Sequence, residues 1–577
     1  MNYQSILHIP MSHYAHGIDE ENVLIRIRVG KDDIKKCTLF YGDRSCKQTP
    51  VIFSKVDMRI IASDEMFDYF QIIVNSEYKR LCYYFYLNDG IEETLYYGDI
   101  FSKETVDDRS EYYQFPFNHR DDIAKVPLWA KDTVMYNIFP DSFATGRKYI
   151  SKTGSEIEYN NHIVKSKNGG TIKGIYENVD YIKELGINCI YINPIFVAGE
   201  YHKYDLIDYY SIDPCFGTNE DFKLMVNLFH ENNIKVVIDG VFNHCGWHFF
   251  AFDDVIKNQE NSQYADWFYG LQFPITRPDN MDIIPTYDCF GYERMMPKLN
   301  TEHQDVIDYF CDVCKYWLSE YNIDGWRLDV ASEVNAGFWR EFRKAAKSIN
   351  PHSILIGEIW ESAQYWLDGS QFDSSMNYDF RKHCRRFFAE ESIDAKEFDS
   401  RVTNMLMRYK QNILYAQLNI LDSHDVSRFL SLCDGDTRKY KLAVLFQMCF
   451  VGMPCIFYGD EQGIKGILEH EYRYPMRFNE DGDMFKFFKE VIALRNDEIV
   501  LRHGDYCVIS NERGSGLYVF SRGMDNYKVV IAINAVDTSV DISNIMDIKG
   551  EILLQQGLDK YKINGYGFVV IKYKLKR

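Results

Sequence analysis

Between residues 20 and 100, apolar and polar positions alternate in short runs: VLIRIRV, KKCTLFYGD, FDYFQIIV, RLCYYFYL and TLYYGD. Period-two alternation turns one face of each run towards a core. Several such runs separated by turn residues predict a β-sandwich. From residue 133 to residue 490 the rhythm changes. Strand-like runs TVMYNIFP, NCIYINPIF, KVVIDGVFNH, GWRLDV, ILIGEIW, YAQLNILDSHD and PCIFYGDE alternate with helical patterns such as NEDFKLMVNLFHENN and HQDVIDYFCDVCKYWLSEY. A weaker run at SSMNYDF supplies the sixth strand in chain order and brings the total to eight. Eight βα units in a region of this length predict a (β/α)8 TIM barrel rather than an open sheet. After DGVFNH roughly sixty residues rich in aromatics, Pro and Gly precede the next helix, too long a stretch for a structureless loop, so an inserted subdomain is expected there. Alternation returns at GDYCVIS, GLYVFSR, YKVVIAINA, KGEILLQQG and GFVVIKYK. The expected organisation is α/β: an N-terminal β-sandwich over 1–125, the barrel over 126–495 with its insert at about 243–302, and a C-terminal all-β domain, a second sandwich, over 496–577.

Composition narrows the function. With 577 residues the chain exceeds one core. A net charge of −20 argues against a nucleic-acid backbone as partner, which needs a basic footprint. Aromatic residues make up 16% of the chain, and their faces suit stacking on sugar rings, although most are expected in cores. The start, MNYQSILHIPMSHYAHG, lacks a basic stretch followed by an apolar one, so it does not read as a secretory signal. No window approaches a membrane span. Among the 14 cysteines the one C-x-x-C pair is Cys311 and Cys314 in CDVCKYW, whose spacing of three fits neighbours on one helix face better than a zinc knuckle. Free thiols and a cytoplasmic location are expected.

Candidate chemistry lies at strand ends. In a barrel, polar residues at the C-terminal ends of the strands meet on one face. Asp329 closes the fourth run, Glu358 the fifth and Asp425 follows the seventh, while Asp239, Asn243 and His244 end the third. Crowding carboxylates costs stability, and glycoside hydrolysis with retention uses such a pair, one as nucleophile and one as acid. Arg327 and Asp329 alternate on one strand face, so the guanidinium is expected to keep Asp329 ionised. Glu358, beside negative charge and the aromatic Trp360 and Trp366, is expected to be raised towards a proton donor. Asp425 would hold sugar hydroxyls. Taken alone, RLD is more often a surface or barrel-end ion pair, GEIW says nothing, and His244 and His424 read as structural histidines. Their order and spacing together point to chemistry.

As an ordered set these motifs resemble the α-amylase superfamily, glycoside hydrolase family 13, in its neopullulanase, cyclomaltodextrinase and maltogenic amylase branch. DGVFNH, GWRLDV, GEIW and LDSHD match its four regions, and MPKLN (Met296 to Asn300) matches the motif of its inserted domain. YHKYDLIDYYSIDPCFG and GMPCIFYGDEQG match flanking segments, so the resemblance spans nearly the whole chain. It implies a retaining hydrolase of α-1,4-glucosidic bonds in cyclodextrins, pullulan and maltooligosaccharides, with some transglycosylation. The alternatives are a transferase or isomerase of the same superfamily, or a non-catalytic carbohydrate-binding relative. By the same resemblance Asp329 is the nucleophile, Glu358 the acid/base and Asp425 the transition-state stabiliser. Arg327, His244 and His424 would bind the glucose unit at the cleavage point, with Tyr204 stacked beneath it and Asp239 and Asn243 in support. Glu333 and Trp360 would lie on the acceptor side, and Arg473 and Glu469 by a donor subsite. A homodimer through the N-terminal domain is implied, with no nucleic acid or membrane partner. Glu361 and Ser362 stand where the branch has His-Asp, NAGFW departs from its acceptor pattern, and Phe478 replaces a Trp. No organic cofactor is expected. Many relatives bind calcium after the first strand, but FATGRKYISKTGSE lacks acidic ligands and Thr171 replaces an Asp, so that site is expected to be weak or absent.

Overall fold

The computed structural model describes residues 1–278, 280 and 283–575. Three residues of the expected insert (279, 281 and 282) and the last two of the chain lie outside that set. Contacts divide the chain into two compact units: Val126–Glu390 with Ala416–Arg502, and Met1–Lys125 with Glu391–Tyr415 and the chain from His503 onward.

The first unit is built on a closed parallel barrel of eight strands: β1 (Met135–Ile138), β2 (Cys189–Ile192), β3 (Lys235–Gly240), β4 (Gly325–Leu328), β5 (Ile354–Gly357), β6 (Ser374–Asn377), β7 (Leu418–Ile420) and β8 (Met453–Phe457). Strand β8 pairs back onto β1, so no edge is left open. Met135, Tyr191, Val237, Ile356, Leu418 and Met453 pack the core at its axis. The outer helices follow the helical pattern. Helix Gln304–Glu320 starts at His303, whose ring accepts from the Asp305 N–H, and buries Phe310, Cys311, Cys314 and Trp317 on one face. None of the 14 cysteines is in a disulfide.

The long segment after β3 is a small subdomain. It holds helix Phe250–Asn258 and the hairpin Cys289–Phe290/Glu293–Pro297, and it returns as MPKLN to pair with the end of β3. There the Leu299 N–H donates to the Asn243 carbonyl and the Cys245 N–H to the Pro297 carbonyl.

In the second unit the N-terminal region is a sandwich of a four-stranded and a six-stranded antiparallel sheet sharing one core, with Val23, Ile25 and Ile27 facing Leu39, Phe85 and Leu87. Two residues, Leu24 and Arg26, break the burial alternation of VLIRIRV. Arg26 is buried, and its guanidinium donates to Gln71 Oε1 and the Met407 carbonyl. That carbonyl belongs to helix Ala395–Met407, which lies in sequence between β6 and β7 yet packs with the β regions. The C-terminal strands hydrogen-bond as one connected six-stranded sheet, where two facing sheets were expected.

Candidate active site

Parallel register sets the site. Strands β3 and β4 pair Asp239 with Arg327, and β4 pairs with β5 so that Leu328 faces Gly357. Asp329 and Glu358 therefore emerge side by side, one residue past their strands. Arg327 joins them. Its Nη1 donates to Asp329 Oδ1 at 2.7 Å and to Asp239 Oδ1 and Oδ2 at 2.9 and 3.0 Å, and its Nη2 lies 3.0 Å from Glu358 Oε2. This Nη2 contact is a charge contact without hydrogen-bond alignment. The arginine is fully buried, so three carboxylates offset the cost of desolvating one guanidinium.

The backbone adds a second link. Val330 adopts φ +43°, a left-handed conformation that a β-branched side chain resists, and its N–H donates to Glu358 Oε2 at 3.0 Å. Strain of this kind, worth about 1–3 kcal/mol, persists where the surroundings over-determine it.

Asp425 approaches from the loop after β7. His424 Nε2 stands 2.9 Å from its Oδ2, and Arg473 Nη2 lies 3.4 Å from its Oδ1. Burial opposes the Asp425 carboxylate, but His424, Arg327 and Arg473 outweigh burial and hold its pKa well below the usual range. Asp329 goes the other way. Burial pushes its carboxyl well up, Arg327 counters only in part, and Glu358, Asp239 and Asp425 add to the rise. The expectation that Arg327 alone keeps Asp329 ionised is thereby corrected: in the free site, desolvation and crowding outweigh one shared guanidinium.

These groups floor a cleft of ≈ 770 Å³. Tyr204, His244, Glu333, Trp360 and Arg473 line it together with Asp329, Glu358 and Asp425. Tyr204 lies parallel to the His424 ring, with centroids 5.5 Å apart, and its hydroxyl donates to Asp239 Oδ2 at 3.0 Å. Burial, with the Lys298 charge in addition, lowers His244 to about 3, so its ring is neutral. Among the described residues its sealed Nε2 meets no partner in hydrogen-bond geometry. Trp360 is half exposed, stacks on Tyr378 at 4.2 Å and donates from Nε1 to Glu358 Oε1 at 3.1 Å. Arg473 holds the loop after β7 by donating from Nε to the His424 carbonyl at 2.8 Å, and pairs with Glu469 at 2.5 Å. Arg327, Asp239, Asn243 and His424 are buried among these groups.

Sequence reasoning missed four contributors. Tyr191 donates to Asp239 Oδ2 at 2.6 Å, and Asn193 donates to the Tyr204 hydroxyl at 3.2 Å and contacts His424 Nδ1 at 2.9 Å. Their signal was present, since both lie on one face at the end of NCIYINP. Tyr378, from the end of β6, reaches Glu358 Oε1 at 3.4 Å. Lys298, inside MPKLN, donates to Asn243 Oδ1 at 2.5 Å and pairs with Glu333 Oε2 at 3.2 Å.

At the position expected for calcium, the oxygens are already engaged. The Asp141 carboxylate accepts from Ser166 Oγ, the Lys167 N–H and the Asn168 N–H and side-chain amide, and Thr171 Oγ1 caps a helix by accepting from the Gly174 N–H.

A closed (β/α)8 barrel with three carboxylates at the C-terminal ends of its strands, two of them bridged by one arginine, defines a glycoside hydrolase. The alpha amylase catalytic domain matches residues 137–481, and the alpha amylase N-terminal ig-like domain matches residues 1–119. The chain is 40% identical to a cyclomaltodextrinase of Geobacillus thermopakistaniensis, over 96% of this chain and 95% of that one. It is 38% identical to neopullulanase 2 of Thermoactinomyces vulgaris, over 92% and 91%. A solved cyclomaltodextrinase structure superposes with a TM-score of 0.89 at 35% identity, covering 100% of this chain and 98% of that one. The chain belongs to the alpha-amylase family and is an α-glucan hydrolase.

Proposed function

We propose that the enzyme cleaves α-1,4-glucosidic bonds of cyclodextrins, pullulan and maltooligosaccharides with retention, and transfers part of its product to sugar acceptors. One observation carries this reading: the Arg327 guanidinium touches both Asp329 and Glu358 and so holds the two carboxyl groups close together, as the nucleophile and acid of a retaining pair must be. Asp329 attacks the anomeric carbon while Glu358 gives its proton to the departing glycosidic oxygen. The carboxylate of Glu358 then takes a proton from water or an acceptor hydroxyl, which displaces Asp329. Asp425, held ionised by His424 and Arg473, stabilises the positive charge that develops on the sugar. The positive charge that develops at the anomeric carbon as the bond breaks favours the ionised form of Asp329, which burial disfavours in the free site.

The four-sided engagement of Asp141 and the capping role of Thr171 leave few free lone pairs for calcium. The reading therefore includes no cofactor, and full activity in chelator. A cytoplasmic homodimer joined through the N-terminal sandwich completes it, supported by the free cysteines and by the match of residues 1–119 to the family's N-terminal domain. NMR of fresh product tests the chemistry, since the α-anomer must appear first and initial β-anomer would overturn retention. Chromatography of digests of β-cyclodextrin, pullulan and maltotriose ranks the substrates. Light scattering on a sizing column reads the oligomeric state.

A further inference from the structure

Within the barrel unit, two histidines and an aspartate converge that the hydrolytic reading does not use. His162 opens the second strand of the hairpin Ser155–Tyr159/His162–Ser166, after β1. His248 lies in the segment after β3, and Asp253 in helix Phe250–Asn258. The two imidazoles lie face to face, with centroids 3.9 Å apart and planes tilted by 21°. Asp253 Oδ2 is 3.8 Å from His162 Nε2, and Oδ1 is 3.6 Å from His248 Nδ1. One ligand atom from each residue falls within 4.8 Å of the others.

Hydrogen bonding does not account for this grouping. Both imidazole–carboxylate separations exceed hydrogen-bond length, and among the described residues the solvent-sealed His248 Nδ1 meets no hydrogen-bond partner. A buried polar nitrogen left unpaired is costly, which favours a ligand that would engage it. Two imidazolium rings at stacking distance would also repel each other. Arg277 donates to Asp253 Oδ1 and so turns Oδ2 towards His162.

We propose that His162 Nε2, His248 Nδ1 and Asp253 Oδ2 bind a divalent transition-metal ion of the zinc class, with water completing the set. Two imidazoles and one carboxylate suit zinc and its neighbours, whereas calcium takes oxygen ligands. Bonds of ~2.0–2.2 Å place adjacent tetrahedral ligands about 3.3 Å apart, so modest side-chain rotations close the group. The positive charge of Arg277 moderates the affinity, which makes the site one that fills and empties with metal supply.

Its position gives it a consequence. On the His162 hairpin, the Lys165 carbonyl accepts from Lys203 Nζ at 2.7 Å and Lys165 Nζ pairs with Glu200 at 2.7 Å, both in the loop that carries Tyr204. His248 is four residues beyond His244. The ion would clip together the loops that follow β1 and β3, and so stiffen one rim of the cleft.

The full-length protein, freed of metal with chelator, is titrated with zinc chloride by calorimetry and with cobalt(II) chloride by visible absorption. One stoichiometric equivalent is expected, with the ligand-field bands of nitrogen-ligated cobalt. Both are lost in His162→Ala and in His248→Ala, and zinc raises the melting temperature of the wild type but not of the variants. His162→Gln, a conservative change on the hairpin, guards against a folding defect and is read after its circular dichroism matches wild type. No stoichiometric binding by the wild type, or equal binding by wild type and variants, overturns the site.

Discussion

Arg327 and Asp329 show how one residue's environment inverts a simple expectation. The two share a strand face, and their contact of 2.7 Å follows from that alternation. The protonation preference of Asp329 does not, because burial and three other carboxylates act on it together. Replacing Asp329 with Asn, or Glu358 with Gln, should lower kcat at least ~100-fold in a maltotriose assay, the scale of losing a nucleophile or acid/base group. Asp329→Asn should also raise the melting temperature at neutral pH. The sign follows from linkage: a carboxyl whose folded pKa is raised contributes stability below its unfolded pKa and loses it as pH rises through the folded value. Melting curves of wild type and variant should therefore coincide near pH 4 and diverge, with the variant higher, as pH rises towards 8.

Elements place these residues, and the link between MPKLN and the end of β3 is the clearest case. Lys298 ties the returning strand to Asn243 and to Glu333 across the cleft rim, and its positive charge helps keep His244 neutral. A charged hydrogen bond of this kind is worth about 1.5–3 kcal/mol. Lys298→Met, which keeps the stem but not the charge, should reduce kcat/KM about 10- to 100-fold. Steady-state kinetics on maltotriose checks this, and an unchanged value would show that the motif acts only as a packing strand. The motif itself was legible as a string of residues. Its role was not, because the partners of Lys298 lie 55 and 35 positions away in the chain.

At the scale of the molecule, the segment Glu391–Tyr415 departs from the barrel and joins the terminal β regions in one compact unit. Arg26 of the N-terminal sandwich donates to the Met407 carbonyl, Asn412 donates to the carbonyls of Ile18 and Ala124, and Tyr518 of the C-terminal sheet donates to Asp399 at 2.9 Å. A chain that begins at residue 126 would expose that face and leave the Met407 carbonyl and the Asn412 amide without these partners. Such a truncation should aggregate on expression, and light scattering checks it. A monodisperse, fully active truncation would show the N-terminal sandwich to be dispensable for folding.

Alternation and helical periodicity carried the architecture, because burial of one face writes a period of 2.0 or 3.6 into the chain whatever its partner. The same patterning placed Asp329, Glu358 and Asp425 at strand ends, where a parallel barrel must gather them on one face. Hydrogen-bond partners, desolvation and the company kept by Glu391–Tyr415 depend on distances between residues remote in sequence, which no local period encodes. Tertiary structure alone therefore decided that one arginine serves three carboxylates, that burial outweighs it at Asp329, and that Tyr191, Asn193 and Lys298 hold the site in place.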